Sequence, residues 1–174
     1  AGEHQAWNAA LALECLHVLG IPLSFESVHH GLSSVKWPGR FEVIEVDGKT
    51  VVFDGAHNPQ ATGVLAATWR ERFRDEKAVL VFSAVAAKDL AGLVADLEPL
   101  AAAIHTCPVA SERAVPADEI ARGFSGEAFA HGSAADAFRA ALAQDGPVLV
   151  AGSLFLIGEI KALLQGETWR SSEQ

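Results

Sequence analysis

Apolar and polar positions change rhythm several times along this chain, and each change predicts an element. Between residues 3 and 19, Trp7, Leu11, Cys15, Val18 and Leu19 recur at helical spacing until Gly20-Ile21-Pro22 stops the run. Residues 23–36 show little periodicity and are expected to form a polar connection. Phe41–Val46 and Thr50–Phe53 flank Asp47-Gly48-Lys49, which predicts a β-hairpin. Short apolar runs then alternate with helical patterns. The expected order is a helix from Pro59 to about Phe73, a strand at Ala78–Phe82 and a helix capped by Asp89 and reaching about Leu97. A strand at Ala103–Thr106, a helix opened by Pro116 and ending near Gly123, and a weak strand at Ala128–Ala130 come next. A helix at Ala134–Ala143, a strand at Pro147–Ala151 and a last helix at Ser153–Leu164 complete the series, and the tail from Gly166 is expected to fray.

Strands alternating with helices predict an α/β fold: a mostly parallel sheet covered by helices on both faces, joined by right-handed crossovers. The Phe41–Val46 strand would add an antiparallel edge. A boundary is expected near residue 35, leaving residues 1–34 as a separate piece and residues 35–174 as the main domain.

Composition narrows the function classes. Half of the 174 residues are hydrophobic and a fifth are charged, so a sizeable core is expected and disorder is not. The formal net charge is −9, from 13 basic against 22 acidic residues, which argues against general nucleic-acid binding. No apolar run is long enough to span a membrane, so no membrane partner is expected. Cys15 and Cys107 have no metal-ligand spacing and are expected to be buried thiols, pointing to a reducing cytoplasm. The chain holds no methionine, even at position 1, and reads as cut from a longer one. Gly48-Lys49-Thr50 imitates the end of a phosphate-binding loop, but position 43 is valine where that loop needs glycine, so the hairpin turn is the better reading. His29 and His30 are adjacent, their side chains diverge, and no metal site is expected there.

Candidate chemistry concentrates in Asp54-Gly55-Ala56-His57-Asn58-Pro59, with Pro38-Gly39-Arg40-Phe41-Glu42 upstream. A strand running into Asp54 places that carboxylate at its end, where it could accept hydrogen bonds from ribose hydroxyls or simply hold a turn. Asn58 suits an N-cap and Pro59 the first helical position, leaving free N–H groups that attract phosphate. His57 is placed either to touch a phosphate or to pack the loop. Arg40 offers a planar cationic fork for phosphate oxygens, and Glu42 is placed to orient it. Two further loops belong to the same sheet edge. One, Ser83 to Asp89, carries Lys88. The other, Ala151-Gly152-Ser153, opens the last helix. Lys88 and Ser153 together could hold a small carboxylate such as that of an amino acid.

Three ordered segments carry a family resemblance: Gly2 to Ala12, Pro38 to Glu42, and Asp54 to Pro59. Together they resemble the carboxy-terminal region of folylpolyglutamate synthases, in the Mur ligase superfamily, from the first residues to near Ser153. The resemblance implies a Rossmann-like Mur ligase C-terminal domain with the end of a central ATPase domain at residues 1–34. It implies an ATP-dependent ligase that joins glutamate to a folate, or to dihydropteroate, through an acyl phosphate. It also implies adenine contact by Asn8, nucleotide contact by Arg40, Asp54 and His57, and glutamate contact by Lys88 and Ser153. The family's phosphate-binding loop, most magnesium ligands and the folate pocket are expected upstream of Ala1, so no catalytic residue or metal ligand is assigned to this chain, and the fragment alone is expected to be inactive. A peptidoglycan-precursor ligase domain and a non-catalytic nucleotide-sensing module remain open alternatives.

Overall fold

A computed structural model of the chain describes residues 3–86 and 89–166. The chain divides after Pro38 into two compact units. The first holds α1 (Glu3–Val18) and α2 (Phe25–Ser34). Helix α2 lies where the sequence predicts an irregular connection. Its start is set by Ser24, whose side chain accepts from the Ser27 N–H while the Ser27 hydroxyl accepts from the Ser24 N–H. This is a reciprocal cap built from two serines rather than the commoner serine and glutamate. Helix α2 buries no residue, and Trp7, Leu11, Val18, Leu19 and Phe25 are all exposed. Cys15 is exposed too, which corrects the expectation of two buried thiols; Cys107 is buried, and both are free.

The second unit is a six-stranded sheet. Its strands are β1 (Glu42–Val46), β2 (Lys49–Asp54), β3 (Ala78–Phe82), β4 (Ala101–Thr106), β5 (Ala128–Ala130) and β6 (Val148–Ala151). They lie in the order β1-β2-β6-β3-β4-β5, with β1 antiparallel to β2 and the other pairs parallel. The β1–β2 turn has positive φ at both Asp47 (51°) and Gly48 (75°), as a tight two-residue hairpin turn requires.

The helices are α3 (Pro59–Phe73), α4 (Leu90–Leu97), α5 (Ala117–Ala121), α6 (Ala134–Leu142) and α7 (Leu154–Gln165). Strand alternation divides the core. Val52, Leu80, Phe82 and Leu149 face α3, α4 and α5, with Leu65, Trp69, Leu93 and Ile120. Val51, Phe53, Val79, Val81 and Val150 face α6 and α7, with Phe138, Leu156 and Ile160. Burial on both faces explains why these strands read as unbroken apolar runs. At the far edge, buried His105 stacks on Phe129, its Nδ1 lies 2.8 Å from His131 Nε2, and its Nε2 lies 2.9 Å from the Gln144 amide.

The connections after β2, β3 and β4 lead to one face, and those after β5 and β6 lead to the other. Strand β6 lies between β2 and β3, so chain leaves toward opposite faces on each side of it. In open α/β sheets, ligands commonly bind at the carboxyl ends of the strands beside such a switch.

Candidate functional site

The register aligns that edge. Asp54 pairs with Ala151, Ala151 with Phe82, and Phe82 with Thr106, so the residues that follow emerge side by side. The β2 loop and the turn before β1 are fastened together. The Gly55 N–H donates to the Gly39 carbonyl at 2.8 Å. Asp54 accepts the Phe41 N–H at one oxygen and the Ala56 N–H at the other, both at 2.8 Å. Asp54 is thus a brace for the turn.

The brace holds an unusual backbone. Phe41 has φ of 45°, in the left-handed region that non-glycine residues rarely occupy, and Gly39 has φ of 72°. Phe41 is secured by its ring, which lies against Phe73 at 6.5 Å between centroids, while the Asp54 carboxylate holds its N–H. Asp47 and Arg74 also have positive φ, but of the three only Phe41 lies beside the carboxyl end of β2, where such a conformation marks a candidate functional loop.

Arg40 sits at the apex of this turn and is exposed. It has no hydrogen-bond or ion-pair partner among the described residues. Its Nη1 lies 2.8 Å from where a side chain on Gly55 would begin. The guanidinium therefore lies across a bare stretch of the β2 loop.

His57 Nδ1 lies 2.8 Å from the Gly55 carbonyl and donates to it. That fixes the ring against its own loop and leaves Nε2 without a partner among the described residues. Asn58 caps α3: its Oδ1 accepts the Ala61 N–H at 2.9 Å, and Pro59 follows at the first helical position.

On the β6 side, Gly152 has φ of 101°, and a Cβ there would lie 2.1 Å from the Ser83 carbonyl oxygen. Only glycine fits both the conformation and the space. Ser153 is buried, and its Oγ accepts the Phe155 N–H at 3.1 Å at the start of α7. Its hydroxyl proton is still available for a carboxylate oxygen. On the β3 side, the segment after Ser83 is pinned to residues 113–115 by the Ala86 N–H to the Arg113 carbonyl and the Val115 N–H to the Ala84 carbonyl. Lys88, expected to meet the amino-acid carboxylate, lies outside the described residues.

The sequence reading singled out neither Ser83 nor Lys161. Ser83 Oγ is fully buried and, among the described residues, has no hydrogen-bond partner, an arrangement that buried hydroxyls seldom tolerate. Lys161 Nζ binds both oxygens of Glu42, at 2.7 and 2.8 Å. Glu42 also accepts the Gly39 N–H at 2.8 Å. Burial pushes the Glu42 carboxyl up, but the hydrogen bonds from Lys161 and Gly39 and the Lys161 charge outweigh it and leave the group below its usual range. Cys107, at the end of β4, is no nucleophile: burial and the charge of Glu159 push its thiol up to about 12.

The carboxyl-end edge of the sheet thus collects Arg40, Asp54, His57 and Ser153. Asn8 belongs to the first unit, where it is exposed and donates to Gln5 Oε1 at 3.3 Å. Among the described residues no group of three or more His, Cys, Asp or Glu is disposed to hold a metal ion, and no helix is long and apolar enough to cross a membrane.

Residues 39–154 match the family described as Mur ligase, glutamate ligase domain. The chain is 38% identical over 92% of its length to a probable bifunctional folylpolyglutamate synthase/dihydropteroate synthase of Halobacterium salinarum, of which it covers 20%. It is 32% identical over 94% of its length to a dihydrofolate synthase/folylpolyglutamate synthase of Bacillus subtilis, of which it covers 40%. In fold it is similar to a Mycobacterium tuberculosis folylpolyglutamate synthase solved with ADP and AMPPCP. There the TM-score is 0.85 at 28% identity, covering 99% of this chain and 41% of that one. The chain therefore spans between a fifth and two fifths of the relatives it matches.

Proposed function

We infer the function from one premise: this chain belongs to the family of Mur ligase glutamate ligase domains. It is the closing domain of an ATP-dependent ligase that adds L-glutamate to a folate carboxylate, and it works joined to an ATPase domain. The observation that carries this reading is the arrangement at the ends of β2 and β6. A cationic apex, a carboxylate and two helix starts meet there at a topological switch point.

The roles follow from chemistry. Arg40 binds phosphate oxygens of ATP through charge-assisted hydrogen bonds. Asp54, a carboxylate at the carboxyl end of β2, receives the ribose hydroxyls. His57 contributes through Nε2. Ser153 and Lys88 hold the carboxylate of the incoming glutamate. Asn8 is assigned to the adenine edge by the family resemblance alone. In the reaction, the terminal phosphoryl group passes to a carboxylate oxygen of the acceptor, giving an acyl phosphate and ADP. The amine of glutamate attacks the acyl carbon, loses a proton and displaces phosphate. This chain's part is to bind and orient nucleotide and glutamate, and to exclude water on closure. Magnesium, which neutralises the nucleotide phosphates, finds no ligand cluster among the described residues and is assigned to the joined domain. Residues 1–34 are assigned to the end of that domain, which would cover the apolar side chains that α1 and α2 leave exposed.

The test is the full-length protein with ATP, glutamate, and either tetrahydrofolate or dihydropteroate, products being read by mass. The expected result is ATP-dependent gain of one glutamate residue, with Arg40→Ala lowering kcat/KM for ATP by about 10- to 150-fold, the span of one charge-assisted hydrogen bond. Absence of glutamate addition to either acceptor refutes the ligase assignment. Addition with unchanged ATP dependence in Arg40→Ala refutes the nucleotide site.

A further inference from the structure

We propose that Lys161 is a positioning residue: through Glu42 it sets the place of Arg40 relative to the start of α7. The inference rests on the reading of Arg40 as a phosphate ligand.

Strand geometry makes the contact possible. Glu42 opens β1 and stands opposite Phe53 in the antiparallel register, so both side chains point to the α7 face of the sheet. Phe41, one residue earlier, points to the α3 face and packs there. The turn is therefore gripped from both sides of the sheet, with Arg40 between the grips. On the α7 side, Lys161 Nζ lies 5.9 Å from the centre of the Phe53 ring and binds both Glu42 oxygens. The Glu42 and Lys161 side chains are only 25% and 27% exposed, so this pair is less screened than a surface bridge.

The same helix meets the turn twice more. A Cβ on Gly39 would lie 3.3 Å from Ile157 and 3.4 Å from Leu154. Leu154, Ile157 and Lys161 fall at i, i+3 and i+7, one stripe of α7. Ser153 caps the start of that stripe. One rigid helix thus carries the proposed glutamate contact at its N-terminus and the anchor of the phosphate-binding turn two turns later. Lys161 fixes the distance between the two ligands without touching either.

The experiment is a double-mutant cycle in the full-length enzyme, reading kcat/KM for ATP and urea unfolding of each variant. Lys161→Met keeps the stem against Phe53 and removes the charge; it is expected to lower kcat/KM for ATP by about tenfold. Lys161→Arg, which can still grip both oxygens, is expected to restore most of the loss. In an Arg40→Ala background Lys161→Met is expected to cost less than about twofold, because the group it positions is gone. Glu42→Gln, which still offers Gly39 an acceptor, is expected to follow the same cycle and replaces Lys161→Met if that variant does not fold. A tenfold loss that persists in the Arg40→Ala background means general damage to the domain and overturns the proposal, as does an unchanged kcat/KM in Lys161→Met. If Arg40→Ala itself leaves kcat/KM for ATP unchanged, the phosphate reading fails and this inference fails with it.

Discussion

Replacing Gly55 by alanine should separate what the site requires from what the fold requires. The new Cβ would lie 2.4 Å from Leu154 Cδ2, 2.9 Å from Leu154 Cγ and 2.8 Å from Arg40 Nη1. All three atoms belong to side chains, and Gly55 is not in the left-handed region, so the backbone itself tolerates alanine. Ordinary contact near 3.5 Å requires Leu154 Cδ2 to retreat by about 1 Å and the guanidinium by about 0.7 Å. Leu154 is 47% exposed and can turn outward. A strained or changed rotamer costs about 0.5–1.5 kcal/mol, which lowers the melting temperature by only a few degrees. The guanidinium cannot move without leaving its place over the β2 loop. Loss of one charge-assisted hydrogen bond to phosphate costs about 1.5–3 kcal/mol, or about 10- to 150-fold in ATP affinity. Scanning calorimetry and ATP titration on one preparation of the full-length Gly55→Ala protein measure both quantities. A folded variant that binds ATP within about twofold of the parent would refute the placement of Arg40 at the nucleotide. A variant that loses the fold would refute the claim that the clash is confined to mobile atoms.

Gly152→Ala should behave in the opposite way. Its Cβ would meet the Ser83 carbonyl at 2.1 Å and the Phe82 ring at 2.5 Å, with φ at 101°, so a loss of about 3–5 kcal/mol is expected in urea unfolding; a loss no greater than that of Gly55→Ala would show that the β6 loop can rearrange. His105 gives a pH dependence. Burial first, and then the charge of His131, hold its pKa below the usual value against the opposing Gln144 hydrogen bond. The folded state then binds fewer protons than the unfolded chain, so this contribution is complete above about pH 6.5 and is lost as the pH falls from there toward the lower folded value. Unfolding free energy should decline from pH 7 to pH 5 less steeply in His105→Asn than in the parent, and equal slopes would contradict the assignment.

The outline of the fold was legible because its signals are local. Asp47-Gly48 between two strand-like segments signals a hairpin by local chemistry alone, and Asn58-Pro59, Asp89 and Ser153 start helices by capping, which needs no partner distant in sequence. Helix α2 was missed because neither local signal took its usual form: its cap pairs two serines, and no face of it is buried. Of the proposed site, Arg40, Asp54, His57 and Ser153 are candidates that residue type and position at element ends put forward, and the structure places them along one sheet edge. Their bracing could not be read in this way. Lys161 is 119 residues from Glu42, and no pattern in either segment specifies the other. The left-handed Phe41 was equally hidden, because a phenylalanine there is held by an Asp54 carboxylate 13 residues away rather than by its own propensity. Local rules locate groups; the geometry that makes them useful is set by contacts distant in sequence.

If this acidic chain receives a nucleotide as proposed, it faces a problem of sign, and the bracing of the turn offers a way to meet it. The net charge is −9, yet Asp54 and Glu42, the carboxylates that brace the turn, are both engaged. Each oxygen of Asp54 accepts a backbone N–H, and Glu42 is matched by Lys161 and the Gly39 N–H. Arg40, Lys161, Asp54 and Glu42 sum to zero formal charge, so the local balance is set by the helix starts at Asn58 and Ser153, each with about half a positive charge from aligned peptide dipoles. Acidic residues elsewhere act through water, where a Debye length of about 8 Å at physiological salt removes most of their reach. The carboxylates of the turn therefore shape the backbone around Arg40 at little electrostatic cost to an arriving phosphate. Neutralising Lys161 would undo this twice over, freeing the turn and leaving Glu42 as an uncompensated negative charge two residues from Arg40.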